Sequence, residues 1–175
     1  SNINLTDARL YNVDLINANL TSAKLTGIEL IYVDLINANL TDADLTNVNL
    51  TNINLTGISG QLSDTSGITL PSGYIIANNY IVGPGVNLSG ANVTGADLNN
   101  ANLTNVNLTD ISGRLSGASD ITLPSGYIIA NNYIVGPDVN LSGANLSSTD
   151  LTAATMNNVS GQLSSVTGIK LPSGY

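Results

Sequence analysis

The sequence predicts an all-β fold in which the chain winds as a coil of four short sides per turn. Apolar residues recur in a five-residue unit, and the second apolar residue of each unit is Leu throughout residues 3–57. The nonamer VDLINANLT occupies residues 13–21 and returns unchanged at residues 33–41, which sets the turn at twenty residues. The chain has no Phe, Trp, His or Cys, so the core is expected to consist of Leu, Ile, Val and Ala. These observations favour a thin, regular core over a spheroidal one.

The spacing of the apolar residues excludes both a helix and a flat strand. Apolar positions are alternately two and three residues apart, as in Ala18, Leu20 and Ala23. Residues two apart lie on nearly opposite sides of a helix, and a three-residue step turns the next pair to the other face of a strand. Each unit is therefore predicted to be a short extended side followed by a corner. Stacked turns are expected to lie about 4.8 Å apart. The predicted core stack includes Leu15, Leu20, Leu35 and Leu40.

Two long insertions interrupt the five-residue units. Residues 59–85 have a near copy at residues 112–138, and a third copy begins at Ser160 and stops at Tyr175. The chain is expected either to be a piece of a longer protein or to have its ends covered by another molecule. The predicted organisation is one solenoid over residues 1–175. Its five-residue units occupy residues 3–57, 86–110 and 139–158, and its inserts occupy residues 58–85, 111–138 and 159–175.

Each full insert contains the pattern YIIA-NN-YIVG, which predicts a β-hairpin with a two-residue turn. Asn78–Asn79 and Asn131–Asn132 can adopt the left-handed conformation that a type I′ turn requires. Pro71 and Pro84 flank the first hairpin, where no ladder N–H is needed. The insert is therefore predicted to be a modified coil that carries a short hairpin.

The units ANLTS at residues 18–22, ANLTD at 38–42 and ADLTN at 43–47 resemble those of the pentapeptide-repeat family. The resemblance covers somewhat more than half of the chain. It implies a right-handed quadrilateral β-helix, with Leu and the small residue stacked inside. Arg9, Lys24 and Glu29 depart from the Asn or Asp of the unit, which is tolerable if that side chain points outward.

The inserts are similar to modules of secreted or surface-type bacterial pentapeptide-repeat proteins, on the residues LPSGY…NNYIVGPG. This similarity favours an extracellular or cell-surface location over a cytoplasmic one. The redox compartment stays open because the chain has no cysteine.

Composition also limits the chemistry that the chain can perform. Without His or Cys, the commonest general bases and thiolate nucleophiles are missing, so we predict no catalytic residue, no cofactor and no enzymatic activity. Asp42-Ala43-Asp44 resembles the start of a calcium loop but lacks its central Gly and terminal Glu, so no metal site is predicted. Asp14 and Asp34 should stack one turn apart, and we expect both carboxylates to stay solvated.

The charge balance constrains the partners. Twelve acidic residues against four basic ones give a net charge of −8, which provides no basic footprint for nucleic acid. No apolar run approaches the roughly 18 residues that a membrane span requires, so no membrane insertion is expected.

A cluster of large apolar residues is predicted on the surface. With four sides to a turn, Tyr11 lies over Ile31 and Ile16 lies over Ile36, with Tyr32 beside them on adjoining corners. We call these five residues the corner surface. Exposed apolar clusters usually mark contact surfaces, and the alternative is that another segment of the protein covers this one.

Three functions are compatible with these features. The first is a non-enzymatic structural or interaction module, a rigid polar rod that acts as a spacer, an adhesive or a self-assembling surface unit. Its partner would be a protein, including further copies bound end to end or through the corner surface. The second, implied by the family resemblance, is a DNA-mimicking inhibitor of a type II topoisomerase; the net charge has the right sign, but the acids are sparse.

The third is an ice- or water-ordering surface formed by aligned threonines. Thr also suits exposed extended positions, which explains the same residues without that function. The aligned residues are Thr6, Thr26 and Thr46 on one corner and Thr21 and Thr41 on another.

Overall fold

A computed structural model of the protein describes residues 3–175. This part of the chain contains no helix and forms two compact units, a first that ends at Asn87 and a second over Leu88–Tyr175. Most neighbouring sides are joined by single β-bridges, because each side is only a few residues long. The longer paired segments are β1 (Arg9–Tyr11), β2 (Glu29–Ile31), β3 (Ile75–Ala77), β4 (Tyr80–Val82), β5 (Ile128–Ala130) and β6 (Tyr133–Val135).

In the first unit, most sides pair with the side that begins twenty positions later. Strands β1 and β2 are parallel, with Tyr11 opposite Ile31, and Asp14 bridges Asp34 in the same way. The backbone N–H of Asn39 donates to the carbonyl of Ala18 at 2.9 Å, which joins one turn to the next. Four five-residue sides fill this spacing, so the predicted four-sided coil is confirmed.

The corners between sides are tight turns. Ala18 N–H donates to the Leu15 carbonyl at 3.0 Å, and Asn17 in the third turn position has a φ of 58°. A positive φ at this position favours Gly, Asn or Asp. The side chain before the Leu supports the next corner, since Asn19 Oδ1 accepts from the N–H and the hydroxyl of Thr21 at 3.1 and 2.6 Å. This local hydrogen bonding accounts for the recurrent Asn-Leu-Thr.

The core is a stack of aliphatic side chains. Leu20, Leu35 and Leu40 are fully buried, as predicted, and no buried side chain among residues 3–175 is polar. Leu15, in the first turn, is only half-buried. Burial of one Leu side chain stabilises the fold by about 1.5–3 kcal/mol, so regular stacking can replace aromatic packing.

The first insert is one enlarged turn of the coil. Ser59 bridges Asn87, a separation that exceeds the usual twenty positions by eight. Eight residues is also the length of the hairpin formed by β3 and β4, in which Ala77 pairs with Tyr80. Asn78 and Asn79 have φ values of 51° and 59°. The hairpin-bearing insert is therefore confirmed.

Hydrogen bonds fix this hairpin to the coil at its tip and at its base. The Asn79 carbonyl accepts from the N–H of Leu62 at 2.8 Å, and the Asn78 carbonyl accepts from Gln61 Nε2 at 2.9 Å. At the base, the Tyr74 hydroxyl donates to the Pro84 carbonyl at 2.9 Å. The hairpin thus folds back on the turn that precedes it.

The second unit repeats this construction. Asn92 bridges Ser112 and Asn145 bridges Ser165, both with the spacing of one ordinary turn. Its hairpin, β5 and β6, turns at Asn131 and Asn132, with φ values of 46° and 65°. Arg114 takes the place of Gln61, and its Nε donates to the Asn131 carbonyl at 3.3 Å.

The tyrosines at the hairpin bases predict a loss of stability at alkaline pH. Burial raises the pKa of Tyr74, and burial together with the charge of Asp138 raises the pKa of Tyr127. The unfolded chain, with a Tyr pKa of about 10, releases these protons first, so the free energy of unfolding falls as pH rises above about 10. Urea unfolding at pH 8 and pH 11 measures the loss. The free energy of unfolding of the variant with Tyr74→Phe and Tyr127→Phe should fall less between these two pH values. An equal fall would contradict the attribution of the effect to these two tyrosines.

Candidate functional site

The corner surface lies on two adjoining corners of the first unit. Tyr11 and Tyr32 are 64% and 77% exposed on one corner, and Ile16 is 40% exposed on the next. Ile31 and Ile36 are half-buried beside them. The four-sided coil thus brings all five predicted residues onto neighbouring positions, and the two tyrosines carry most of the exposed apolar area.

The two tyrosine rings contact each other. Their centroids are 5.6 Å apart and their planes meet at 86°, an edge-to-face arrangement. Such pairs contribute about 0.5–1.5 kcal/mol beyond the area that they bury. The contact holds both rings in defined positions while each ring stays mostly open to solvent.

Tyr32 adopts a backbone conformation that is unfavourable for its side chain. Its φ is 55°, whereas every other non-glycine residue with positive φ in residues 3–175 is Asn, Asp or Ser. The left-handed conformation costs an ordinary L-residue about 1–2 kcal/mol, and such strain often accompanies functional surfaces. The fold therefore holds this aromatic ring outward at a cost in stability.

Two carboxylates lie on the side between the two apolar corners. Asp14 and Asp34 are bridge partners on successive turns, and Asp14 Oδ1 accepts from the Ile16 N–H at 2.8 Å. Both residues are exposed, as expected. They line a shallow depression of about 280 Å³, together with Asn12, Val13, Ile16 and Tyr32.

Asp14 and Asp34 stack one turn apart, as the repeat spacing predicts, and their position beside the corner surface is a further finding. The signal was present in the repeated VDLIN, which sets each Asp two residues before an outward Ile. The combined site is an acidic strip with an aromatic ridge on one side and an aliphatic ridge on the other.

The threonine columns have hydroxyl protons engaged within the chain. Thr21 and Thr41 donate to Asn19 and Asn39 at 2.6 and 2.7 Å, and Thr26 donates to Asp44 Oδ2 at 2.9 Å. These hydroxyls can still accept hydrogen bonds from water. Their regular orientation follows from corner formation.

Residues 3–175 contain neither a cluster of metal ligands nor a membrane-spanning helix. No three acidic, His or Cys side chains group as a metal site in this range, including around Asp42 and Asp44. No helix there has the length and apolar content to cross a bilayer.

Replacing Tyr11 and Tyr32 by the residues that are usual at these repeat positions tests the backbone strain at Tyr32. Tyr11→Thr alone removes the ring contact and should lower the free energy of unfolding by about 0.5–1.5 kcal/mol. In that background, Tyr32→Asn should raise it by about 1 kcal/mol, because Asn tolerates a positive φ. Urea unfolding of the two variants gives the difference. A further fall in the free energy of unfolding on Tyr32→Asn would contradict the backbone strain assigned to Tyr32.

The repeat units are matched by a known family. The family model "Pentapeptide repeats" matches eight copies, over residues 1–27, 19–57, 85–111 and 138–160, which together exceed half of the chain. A comparison with curated proteins finds no match.

Among solved structures, the chain is similar to HetL, a pentapeptide repeat protein involved in heterocyst differentiation regulation from the cyanobacterium Nostoc. The identity is 22% and the TM-score 0.41, over 100% of this chain and 70% of HetL. It is also similar to two trypsin-treated variants of QnrB1, a plasmid-mediated fluoroquinolone resistance protein. These show 16% and 13% identity and TM-scores of 0.29 and 0.26, over 99% of this chain and 87% and 92% of QnrB1.

The repeat matches and the pairing of successive turns lead to one assignment. The chain belongs to the pentapeptide-repeat family, and its fold is a right-handed quadrilateral β-helix.

Proposed function

We propose that this protein is a non-enzymatic interaction module that presents the corner surface to a protein partner. The observation that carries the proposal is Tyr32, a 77% exposed aromatic residue held at a φ of 55°. Asn or Gly would fill this corner at lower cost. The contact made by the exposed ring offsets that cost once a partner is bound.

The size and chemistry of the surface support binding to a protein. Aromatic side chains bury about 150–250 Å² each and are frequent at the centres of interfaces. A standard interface takes about 800 Å² from each partner, so Tyr11 and Tyr32 can supply a large part of its centre. The three isoleucines extend the apolar area around the rings.

The rigidity of the coil also favours binding. The backbone at the surface is hydrogen-bonded to the next turn, as Asn12 N–H is to the Ile31 carbonyl at 2.9 Å. A surface that is already ordered loses little conformational entropy when a partner binds. In this proposal the repeats act as a spacer that displays the surface, and we place the module outside the cytoplasm.

Inhibition of a type II topoisomerase by DNA mimicry is the second candidate. The net charge of −8 favours it, whereas it assigns no role to the exposed tyrosines. A supercoiling assay separates the two proposals. Inhibition that survives the loss of the corner surface would favour the second.

Peptide display tests the first proposal with two baits, the native chain and a variant of it. The second bait carries Tyr11→Thr, Ile16→Thr, Tyr32→Asn and Ile36→Thr, which reproduce the corner residues Thr51–Asn52 and Thr56 of the next turn. We call it the corner-restored variant, and circular dichroism verifies its fold. We expect the native chain to enrich a peptide consensus that this variant does not. Equal enrichment on both baits, or none on either, would overturn the proposal.

Self-association through the same surface gives a different result in a separate measurement. Sedimentation velocity over a concentration series would show dimers of the native chain and monomers of the corner-restored variant. Such a result would make a second copy of the chain the partner.

A further inference from the structure

We infer that the corner surface binds a basic peptide segment, with a Lys or Arg side chain lying across Asp14 and Asp34. The inference rests on the proposed function and names the chemistry of the partner. The aliphatic part of the bound side chain would lie between Tyr32 and Ile16, and its cationic end would reach the two carboxylates.

The carboxylates are available to such a cation. The two ion pairs within residues 3–175 join Arg9 to Glu29 at 3.2 Å and Lys170 to Asp150 at 3.1 Å. No basic side chain of the described chain therefore pairs with Asp14 or Asp34. Asp14 Oδ1 is engaged by the Ile16 N–H, but an ionised carboxylate accepts several hydrogen bonds, so Oδ2 can accept from a ligand.

The apolar ridges select a cation that has a hydrocarbon stem. Lys and Arg bury their methylene groups along apolar surface while the charged end stays in a polar environment. A cation over a tyrosine face gains about 0.5–1 kcal/mol at an exposed site. The depression of about 280 Å³ is lined by Tyr32 and Ile16 as well as by both carboxylates. Aromatic face, aliphatic face and carboxylates therefore converge on one space.

Charge complementarity decides between the possible occupants. The chain carries −8, so a second copy would place acidic strips against each other, and like charges facing across an interface cost several kcal/mol. Nucleic acid is disfavoured for the same reason. A basic protein segment is attracted by the whole field as well as by the site.

The first unit contains a matched control pair of carboxylates. Asp44 and Asp64 are also bridge partners on successive turns, and their Oδ1 atoms accept from the N–H groups of Thr46 and Ser66 at 2.9 and 2.8 Å. The residues that follow them at the corner are thus Thr and Ser in place of Ile. Substituting both residues of this pair by Asn removes the same charge as substituting both Asp14 and Asp34 by Asn. It leaves the corner surface unchanged.

The test is fluorescence anisotropy with a labelled dodecapeptide of alternating Lys and Leu, beside its Gln-Leu twin. We expect the native chain to prefer the Lys peptide by about tenfold, a difference of about 1.4 kcal/mol. The variant with Asp14→Asn and Asp34→Asn should lose this preference. The variant with Asp44→Asn and Asp64→Asn should keep it, although both variants have the same net charge. The Oδ1 of Asn can accept the N–H that bonds to Oδ1 of Asp14, Asp44 and Asp64. Asp44→Asn also removes the Oδ2 that accepts from Thr26, so melting curves verify both folds.

The outcomes separate this inference from the proposed function. Equal loss of the Lys preference in both Asn variants would mean general electrostatic attraction and would overturn the inference. Equal binding of the Lys and Gln peptides, abolished in the corner-restored variant, would also overturn it while supporting the interaction module. A Lys preference that persists in the corner-restored variant would show that the ridges play no part, and would likewise overturn it.

Discussion

Leu35→Asp is expected to abolish cooperative folding of the first unit. Leu35 is 1% exposed, and the equally buried Leu55 occupies the same place one turn later in the stack. The substitution removes a buried side chain, which costs about 2–5 kcal/mol, and places a carboxylate where no polar partner is buried. Domains are stable by only about 5–15 kcal/mol, so the two costs together are decisive.

Circular dichroism during thermal unfolding measures this effect. Asn54→Asp serves as the control, because Asn54 is exposed and its side-chain oxygen accepts from the Thr56 N–H at 3.1 Å, as Asp would. The control adds the same charge and should unfold almost as the native chain does. An unchanged melting curve for Leu35→Asp would contradict the stacked core.

The coil could be predicted from the sequence because its determinants are local and periodic. The two-three spacing around Leu20 and Leu40 forces a bend in each unit, and the repeated nonamer sets the number of sides in a turn. The hairpin was also predictable, since Asn78–Asn79 lies between two apolar runs. In both cases neighbouring residues determine the geometry.

Other features depend on the corner geometry or on which residues meet across turns. The left-handed φ of Tyr32 follows from its position in the corner, although tyrosine does not favour that conformation. The acidic strip belongs to the site because the coil brings Asp14 and Asp34 beside Tyr32 and Ile16. The sequence predicted the members of the corner surface, and the structure supplied the polar strip between its two ridges.

Gly83→Ala is expected to destabilise the first hairpin by about 1–3 kcal/mol, the usual cost of overpacking. A Cβ at Gly83 would overlap the ring of Tyr74, whose hydroxyl donates to the Pro84 carbonyl. Gly83 is buried and its φ is not left-handed, so the cost comes from the ring contact alone. The same arrangement recurs at Gly136 and Tyr127, where a Cβ would overlap the second ring.

A double-mutant cycle isolates this contact. In a Tyr74→Ala background the ring is gone, so Gly83→Ala should cost little, and the difference between the two backgrounds measures the overlap. Urea unfolding of the four proteins gives the cycle. Equal costs with and without the ring would mean that glycine is required there for another reason. A large difference would show that glycine is required at position 83 because the Tyr74 ring occupies the space that a Cβ would need.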